Sequence, residues 1–406
     1  MAPQSWNGVT PRRAAMNIRI LGYVMARNEW PLLALSITHA LNLGVERVVV
    51  VDHASSDETS AGLRHLSALW LDRVVVYRLE DEAYLQEATT SVIMNTVGAA
   101  EYDWVYVFDA DEFMLLTPGG SLAKELGGLS SEFDVVRYQI QQWVAPEDLD
   151  ENDIENFQRI SQKAIANVFA VADGALIADE IEDGHVNFFD VPFPSKVLVR
   201  GKHALNITAG AHALNSNAEA TEIDIDPSRM HSGHIPLPSF QRLLKKSAHG
   251  RSLIAAGFTR DHGWQNQLIA RLESTGRLNE FWRAHSGSAD WGTSNFARPT
   301  LVADPMLSEQ LAITIDGLLP WLNDASITPE PLSPSESSVP LSLAVQIRNR
   351  SQILASQLAH ITTERDQASD AIQHLQKEVD AIRQSRSFRL GSTLLRPLQV
   401  AVSRFR

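Results

Sequence analysis

Three short polar clusters interrupt the first third of the sequence, each directly after an apolar run. They are Arg27-Asn28-Glu29, the stretch Asp52-His53-Ala54-Ser55-Ser56-Asp57-Glu58-Thr59, and Asp109-Ala110-Asp111-Glu112. Asp109 and Asp111, two carboxylates one residue apart, can both reach one hard cation, which favours oxygen ligands and leaves positions open for substrate phosphates. Taken singly, each cluster could be loop polarity, and Asp57 with Ser55 or Ser56 could cap a following helix. Three clusters recurring at the same place in a repeated pattern point to one ligand-binding edge. No G-x-G-x-x-G follows the first apolar run, and no G-x-x-x-x-G-K-[ST] occurs anywhere. A pyrophosphate would therefore lack its usual backbone cradle, and a divalent cation on the Asp109-x-Asp111 pair is the alternative way to hold an anionic ligand.

The elements that must position these clusters are readable over about residues 17 to 116. Strand-like runs at IRILGYVM (18–25), RVVVVD (47–52), RVVVY (73–77) and WVYVFD (104–109) alternate with helical stretches from Pro31 to Leu43, Asp57 to about Trp70 and Leu85 to Ala100. Continuous apolar strands separated by helices predict a parallel sheet covered on both faces. The crossovers of such a sheet are right-handed, which gives a Rossmann-like α/β layer. Open parallel sheets bind ligands at the carboxyl ends of their strands, and that is where the three clusters fall.

The chain has 406 residues, which allows two or three domains. Its 44% hydrophobic and 21% charged content is globular and excludes a fibrous repeat. With no cysteine, disulfide frameworks, zinc ribbons, iron–sulfur clusters and cysteine nucleophiles are excluded. A formal net charge of −14 argues against nucleic acid as a partner. No apolar run is long enough to span a bilayer, and MAPQSWNGVTPRRAAM lacks the apolar core of a secretory signal, so a cytoplasmic protein is expected.

Residues 117–320 are less regular, with strand candidates at 134–140 and 196–200 and helical stretches at 239–256 and 264–285. Pro329, Pro331, Pro334 and Pro340 among serines mark a linker over 324–340. Beyond it, Ala344, Ile347, Ser351, Leu354, Leu358, Ile361, Arg365, Ala368, Ile372, Leu375, Val379 and Ile382 recur at steps of three and four. This seam predicts a coiled coil over 341–384 and hence a homo-oligomer; a single amphipathic helix docked on the body is the alternative. After Asp380 there is no acid, while Arg383, Arg386, Arg389, Arg396, Arg404 and Arg406 follow, leaving 29 basic against 49 acidic residues in the rest. The tail 385–406 is thus a basic amphipathic segment suited to an anionic membrane surface, with docking onto the acidic body as the alternative.

MARNEW, VDHASSDET and WVYVFDADEF together resemble the family 2 type of nucleotide-sugar glycosyltransferases with the GT-A fold, and DADEF resembles a bacterial subgroup of it. The resemblance covers 17–116 specifically and extends more loosely to about 290. It implies that Asn28, Glu29, Asp52, Ser55 and Asp57 line the base and ribose pocket and that Asp109 and Asp111 bind Mg²⁺ or Mn²⁺ on the diphosphate. It divides the chain into an N-terminal extension (1–16), a nucleotide-sugar-binding half (17–116) and an acceptor and catalytic half (117–323). The segment MHSGHIPLPSFQRLLKK matches the family's H-x-P-x-x-S-[FL] at His234, Pro236, Ser239 and Phe240, which implies His234 as a third metal ligand and Lys245 or Lys246 at the phosphates. His231 and His212 compete for the histidine role.

Inverting transfer needs a carboxylate to take the acceptor proton, and the resemblance implies an acidic pair after the D-x-D. Asp183 of Glu182-Asp183 is preferred as this catalytic base over Glu147-Asp148. SRSFRLGSTLLRPL resembles the ending found after coiled coils in bacterial surface-polysaccharide transferases. The implied activity is metal-dependent transfer of a sugar from a nucleotide-diphosphate donor to a glycan or lipid-linked acceptor, at the inner face of the cell membrane. The rival readings are a nucleotidyltransferase and a non-catalytic coiled-coil adaptor with a decayed transferase domain.

Overall fold

The computed structural model describes residues 18–80, 85–167, 174–215, 219–255, 257–260, 263–287, 294–322, 343–353 and 376–377. The chain divides into two units, Met1–Ala344 and Val345–Arg406. In chain order the first unit contains β1 (Ile20–Ala26), α1 (Leu32–Asn42), β2 (Arg47–His53), α2 (Thr59–Trp70), β3 (Val74–Leu79), α3 (Gln86–Thr96), β4 (Trp104–Val107), β5 (Glu112–Leu116), α4 (Leu122–Gly127), β6 (Val135–Tyr138), β7 (Ile140–Val144), β8 (Gln162–Ile165), α5 (Gly174–Glu182), β9 (Lys196–Arg200), β10 (Glu222–Asp224), β11 (Met230–His234), α6 (Phe240–Ala255), α7 (Trp264–Ser274), α8 (Leu278–His285), β12 (Thr300–Ala303) and α9 (Met306–Leu322).

The expected parallel layer is present as β3-β2-β1-β4, in register through Val24↔Val50 and Leu21↔Val105. Its central strands are buried along their length, which is why they read as unbroken valine, isoleucine and leucine runs. The sheet then changes character. β9 pairs antiparallel with both β4 and β6, and β10 completes a seven-stranded order β10-β6-β9-β4-β1-β2-β3. The two downstream strand candidates are thus direct neighbours, matched at Val136↔Leu198.

A second sheet, β12-β8-β7-β11-β5, is absent from the sequence expectation. Its strands are four or five residues long and pair with partners distant in sequence, so no local periodicity announces them. β5 follows the D-x-D turn immediately and pairs antiparallel with β11, with Glu112 opposite His234. α1, buried on nearly every face, fills the space between the sheets and α9. His39 secures it there, one ring nitrogen 2.8 Å from the Met114 carbonyl of β5 and the other 3.2 Å from Thr314 Oγ1 of α9.

One helical stretch divides. The periodicity of 264–285 is carried by α7 and α8, because Gly276 takes φ +72° and the amide of Arg277 turns back to donate to the Leu272 carbonyl at 2.8 Å. That left-handed position is one glycine adopts without a Cβ penalty. In the second unit the described residues 345–353 and 376–377 are helical, as the seam predicts. The rest of the proposed coiled coil, the linker and the basic tail lie outside the described residues. Among the described residues, no helix is long and apolar enough to cross a membrane.

Candidate active site

The loops after β1 and β2 are bound to each other by side chains donating to or accepting from backbone. Asn28, at φ +59°, accepts through Oδ1 from the amides of Ser56 (2.8 Å) and Asp57 (3.3 Å), while its own amide donates to Ser55 Oγ at 3.0 Å. Thr59 Oγ1 accepts from the amides of Glu29 and Trp30, both at 3.0 Å. Asn tolerates the left-handed region better than other side chains, and Ala54 beside it, at φ +50°, stores local strain of the kind that gathers at functional sites. Asp52 is fully buried. It accepts from the Ser55 amide at 3.0 Å, from the Ser60 hydroxyl, and from Arg78 Nη1 of β3 at 2.7 Å. Asn28, Asp52, Ser55 and Asp57, expected together, are together.

The D-x-D turn lies where the two sheets meet. Asp109, 41% exposed in its side chain, holds Lys196 Nζ of β9 at 2.7 Å, and the same ammonium is 2.6 Å from Glu112. Opposing charge keeps this buried lysine above its usual range despite burial, whereas burial pushes the Glu112 carboxyl up against the pull of Lys196. Asp111 turns the other way. Its Oδ2 is 3.5 Å from His234 Nε2 and 3.6 Å from Lys246 Nζ. Burial would raise the Asp111 carboxyl, but the adjacent His234, Lys246 and Arg242 together hold it well below the ordinary carboxylate range. The bond from the Ile235 amide to the Asp111 carbonyl, 3.0 Å, fixes β11 against the turn. Phe193 packs edge-on against the His234 ring at 4.5 Å.

Helix α6 brings three cations to this edge from residues 242, 245 and 246, the spacing of one helical face. Arg242 is buried; it donates from Nη1 to the Asn28 carbonyl at 3.1 Å and to Glu29, and from Nε to Glu151 at 3.1 Å. Ser239 Oγ donates to Glu151 at 2.8 Å. Lys245 lies 3.3 Å from the Asn28 carbonyl, 3.5 Å from Glu151 and 3.8 Å from Asp57. Burial pushes the Glu29 carboxyl up to about 7, opposed by Arg242.

Arg242, Glu151 and Lys196 are structural participants that the sequence reading did not single out. The 242/245/246 spacing was the available signal for Arg242. Glu151 is hidden in an acidic run that reads as solvated loop, and Lys196 heads an apolar strand where only the sheet register gives it a partner.

His231 is turned away, its Nδ1 2.7 Å from the Pro227 carbonyl, and His212 Nδ1 is 3.1 Å from the Ser195 carbonyl. Of the three histidines, His234 is the one beside an aspartate of the D-x-D. Asp183 makes none of these contacts. It is exposed after the end of α5, a helix that packs on α7 through Glu182–Arg271, and among the described residues no ion pair or side-chain hydrogen bond joins it to the cluster. Its rival Asp148 is paired with Arg159 at 2.6 Å.

Among the described residues, no three His, Asp or Glu side chains form a ready-made metal cage. Asp111 and His234 nonetheless fit a divalent cation as two ligands, a carboxylate in the turn before β5 and an imidazole at the end of β11. Magnesium-type sites commonly use one or two protein carboxylates and complete the shell with water and substrate phosphates. Asp109 contributes a second carboxylate, with one oxygen committed to Lys196.

Residues 23–170 match the family model described as glycosyl transferase family 2. The match includes Asn28, Glu29, Asp52, Ser55, Asp57, Asp109 and Asp111 and ends before Asp183, His234 and Lys245. No curated protein sequence matches the chain. Similar solved structures include S. aureus TarS 1-349, at 14% identity over 65% of this chain and 74% of that one with a TM-score of 0.32. Another is glucosyl-3-phosphoglycerate synthase from Mycobacterium tuberculosis in complex with Mn²⁺, UDP and glucosyl-3-phosphoglycerate, at 13% identity over 60% of this chain and 81% of that one with a TM-score of 0.26.

Proposed function

We propose that the chain, whose residues 23–170 match the glycosyl transferase family 2 model, is a glycosyltransferase that transfers a sugar from a nucleotide-diphosphate donor, with Mn²⁺ or Mg²⁺, to a glycan or lipid-linked acceptor. The observation that carries this reading is the convergence of the three polar loops with His234 and the cations of α6 on one sheet edge. Asn28, Glu29, Asp52, Ser55 and Asp57 form the nucleoside side. Asp111 and His234, with Asp109, would hold the cation, whose chemistry is to neutralise charge developing on the leaving diphosphate. Lys246 adds positive charge beside Asp111 and Lys245 beside Asp57, so the residues of this chain act mainly by electrostatic stabilisation. The exposed flank beside Asp109 is where an acceptor hydroxyl would approach, and we read the transfer as inverting.

The C-terminal seam is read as a dimerising coiled coil and the arginine-rich tail as a contact with anionic membrane at its cytoplasmic face, which suits an enzyme acting on cell-surface polysaccharide precursors. Hydrolysis of a panel of nucleotide sugars, assayed with Mn²⁺ and with EDTA, tests the central part. Release of one nucleoside diphosphate that needs the metal and is lost in Asp111→Asn is expected. Metal-independent release, or none from any donor, would contradict it.

A further inference from the structure

Each aspartate of the D-x-D turn meets a lysine, and the two lysines are held differently. Lys196 is 1% exposed and bound by two carboxylates, Asp109 and Glu112. Lys246 projects from α6 with 23% of its side chain exposed and lies 3.6 Å from Asp111. The Asp111 oxygen facing Lys246 is also the one facing His234 Nε2. A cation shared by Asp111 and His234 would need that oxygen and would stand beside the ammonium, where like charges repel. A lysine ammonium on its four-carbon stem has three rotatable donors and can turn to another acceptor. The acceptor that a bound donor brings to this edge is its diphosphate.

We infer that Lys246 is a positioning residue that guards the Asp111–His234 cation site, opposing metal until a diphosphate draws its ammonium away from Asp111. Metal and diphosphate then bind with positive coupling, and the coupling is reciprocal. Lys245 is the internal comparison: its partners are the Asn28 carbonyl, Asp57 and Glu151, none of which belongs to the Asp111–His234 pair. The inference rests on reading Asp111 and His234 as cation ligands.

Binding of Mn²⁺ alone to the full chain, read from the electron paramagnetic resonance signal of free Mn²⁺, tests it without turnover. Lys246→Gln should bind Mn²⁺ at least about fivefold more tightly than wild type, the low end of measured site-to-site couplings. Lys246→Arg and Lys245→Gln should stay within about twofold of wild type, the usual scatter of independent sites. Asp111→Asn should lose the site. In EDTA, calorimetry with inorganic pyrophosphate should show Lys246→Gln binding it more weakly than wild type. The inference fails if Lys246→Gln binds Mn²⁺ no more tightly, if Lys245→Gln tightens it equally, or if pyrophosphate affinity is unchanged. Mn²⁺ binding that survives Asp111→Asn would overturn the cation assignment beneath it instead, so the two failures are distinguishable.

Discussion

Asp109 faces the seven-stranded sheet, where Lys196 of β9 is enclosed between it and Glu112; Asp111, two residues further from β4, faces the five-stranded sheet and α6, where His234 and Lys246 approach it loosely. The two aspartates of one motif are thus built into a fixed region and an adjustable one. On the fixed side a buried cation is neutralised by short contacts to two acids, and no member can leave without stranding the others. On the adjustable side the contacts are longer, at 3.5 and 3.6 Å, and the ammonium of Lys246 is held by one acid, with 23% of its side chain exposed. A turn joining two sheets can therefore keep its backbone rigid from one side and offer a ligand position on the other.

The largest expected effect lies on the fixed side. Lys196→Met leaves Asp109 and Glu112 facing each other without their cation, and breaking a buried pair in this way costs about 3–5 kcal/mol. Lys246→Gln should cost less than about 1 kcal/mol, the usual worth of a partly exposed pair. Denaturant unfolding of both variants measures the contrast, and equal destabilisation would erase the distinction between the two regions. On the adjustable side the expected loss is of function. Asp111→Asn should lower transfer by roughly 10²–10³-fold, the scale of losing one electrostatic contact to developing charge.

Acid sharpens the comparison next. His39, which fastens α1 to β5 and α9, is held by burial at a value of about 4, below the 6.5 of an exposed histidine. His285 is lowered for the same reason to about 3; its Nε2 accepts from the Phe188 amide at 3.1 Å. The folded state keeps these rings neutral, so it binds fewer protons than the unfolded chain below pH 6.5. The stability they represent is whole above pH 6.5 and is lost as pH falls towards 4, by about 3 kcal/mol for His39. The slope of stability against pH between 6.5 and 4 should flatten in His39→Gln. A slope unchanged by that substitution would remove His39 as a source of acid lability.

The smallest effect is expected at Asp183. Its exposed place after α5 predicts turnover for Asp183→Asn within about threefold of wild type, whereas loss of a general base costs ~10²-fold or more. A steady-state assay separates the two, and a hundredfold loss would restore the base expected from the acidic pair.

What the sequence revealed follows from the physics of burial. β1, β2 and β4 are enclosed strands and therefore read as apolar runs, and the polar residues that follow them gather at one sheet edge. Asn28, Asp52, Ser55, Asp57, Asp109 and Asp111 were legible for that reason. His234 needed a motif resemblance, because only the antiparallel register of β11 on β5 sets it opposite Glu112 and next to Asp111. Lys196 and Glu151 were illegible. A lysine heading KVLVR and a glutamate in LDENDIE look like surface residues until strands distant in sequence and α6 enclose them.

The central claim is that Asp111 and His234 together hold a divalent cation at the edge where the donor binds. An anomalous difference map from crystals grown with Mn²⁺ and a nucleoside diphosphate tests it most directly. The account predicts one peak within coordination distance of an Asp111 carboxylate oxygen and His234 Nε2, with Lys246 turned from Asp111 to a phosphate oxygen. A bound nucleotide with no peak there, and with Asp111 still facing Lys246, would contradict it.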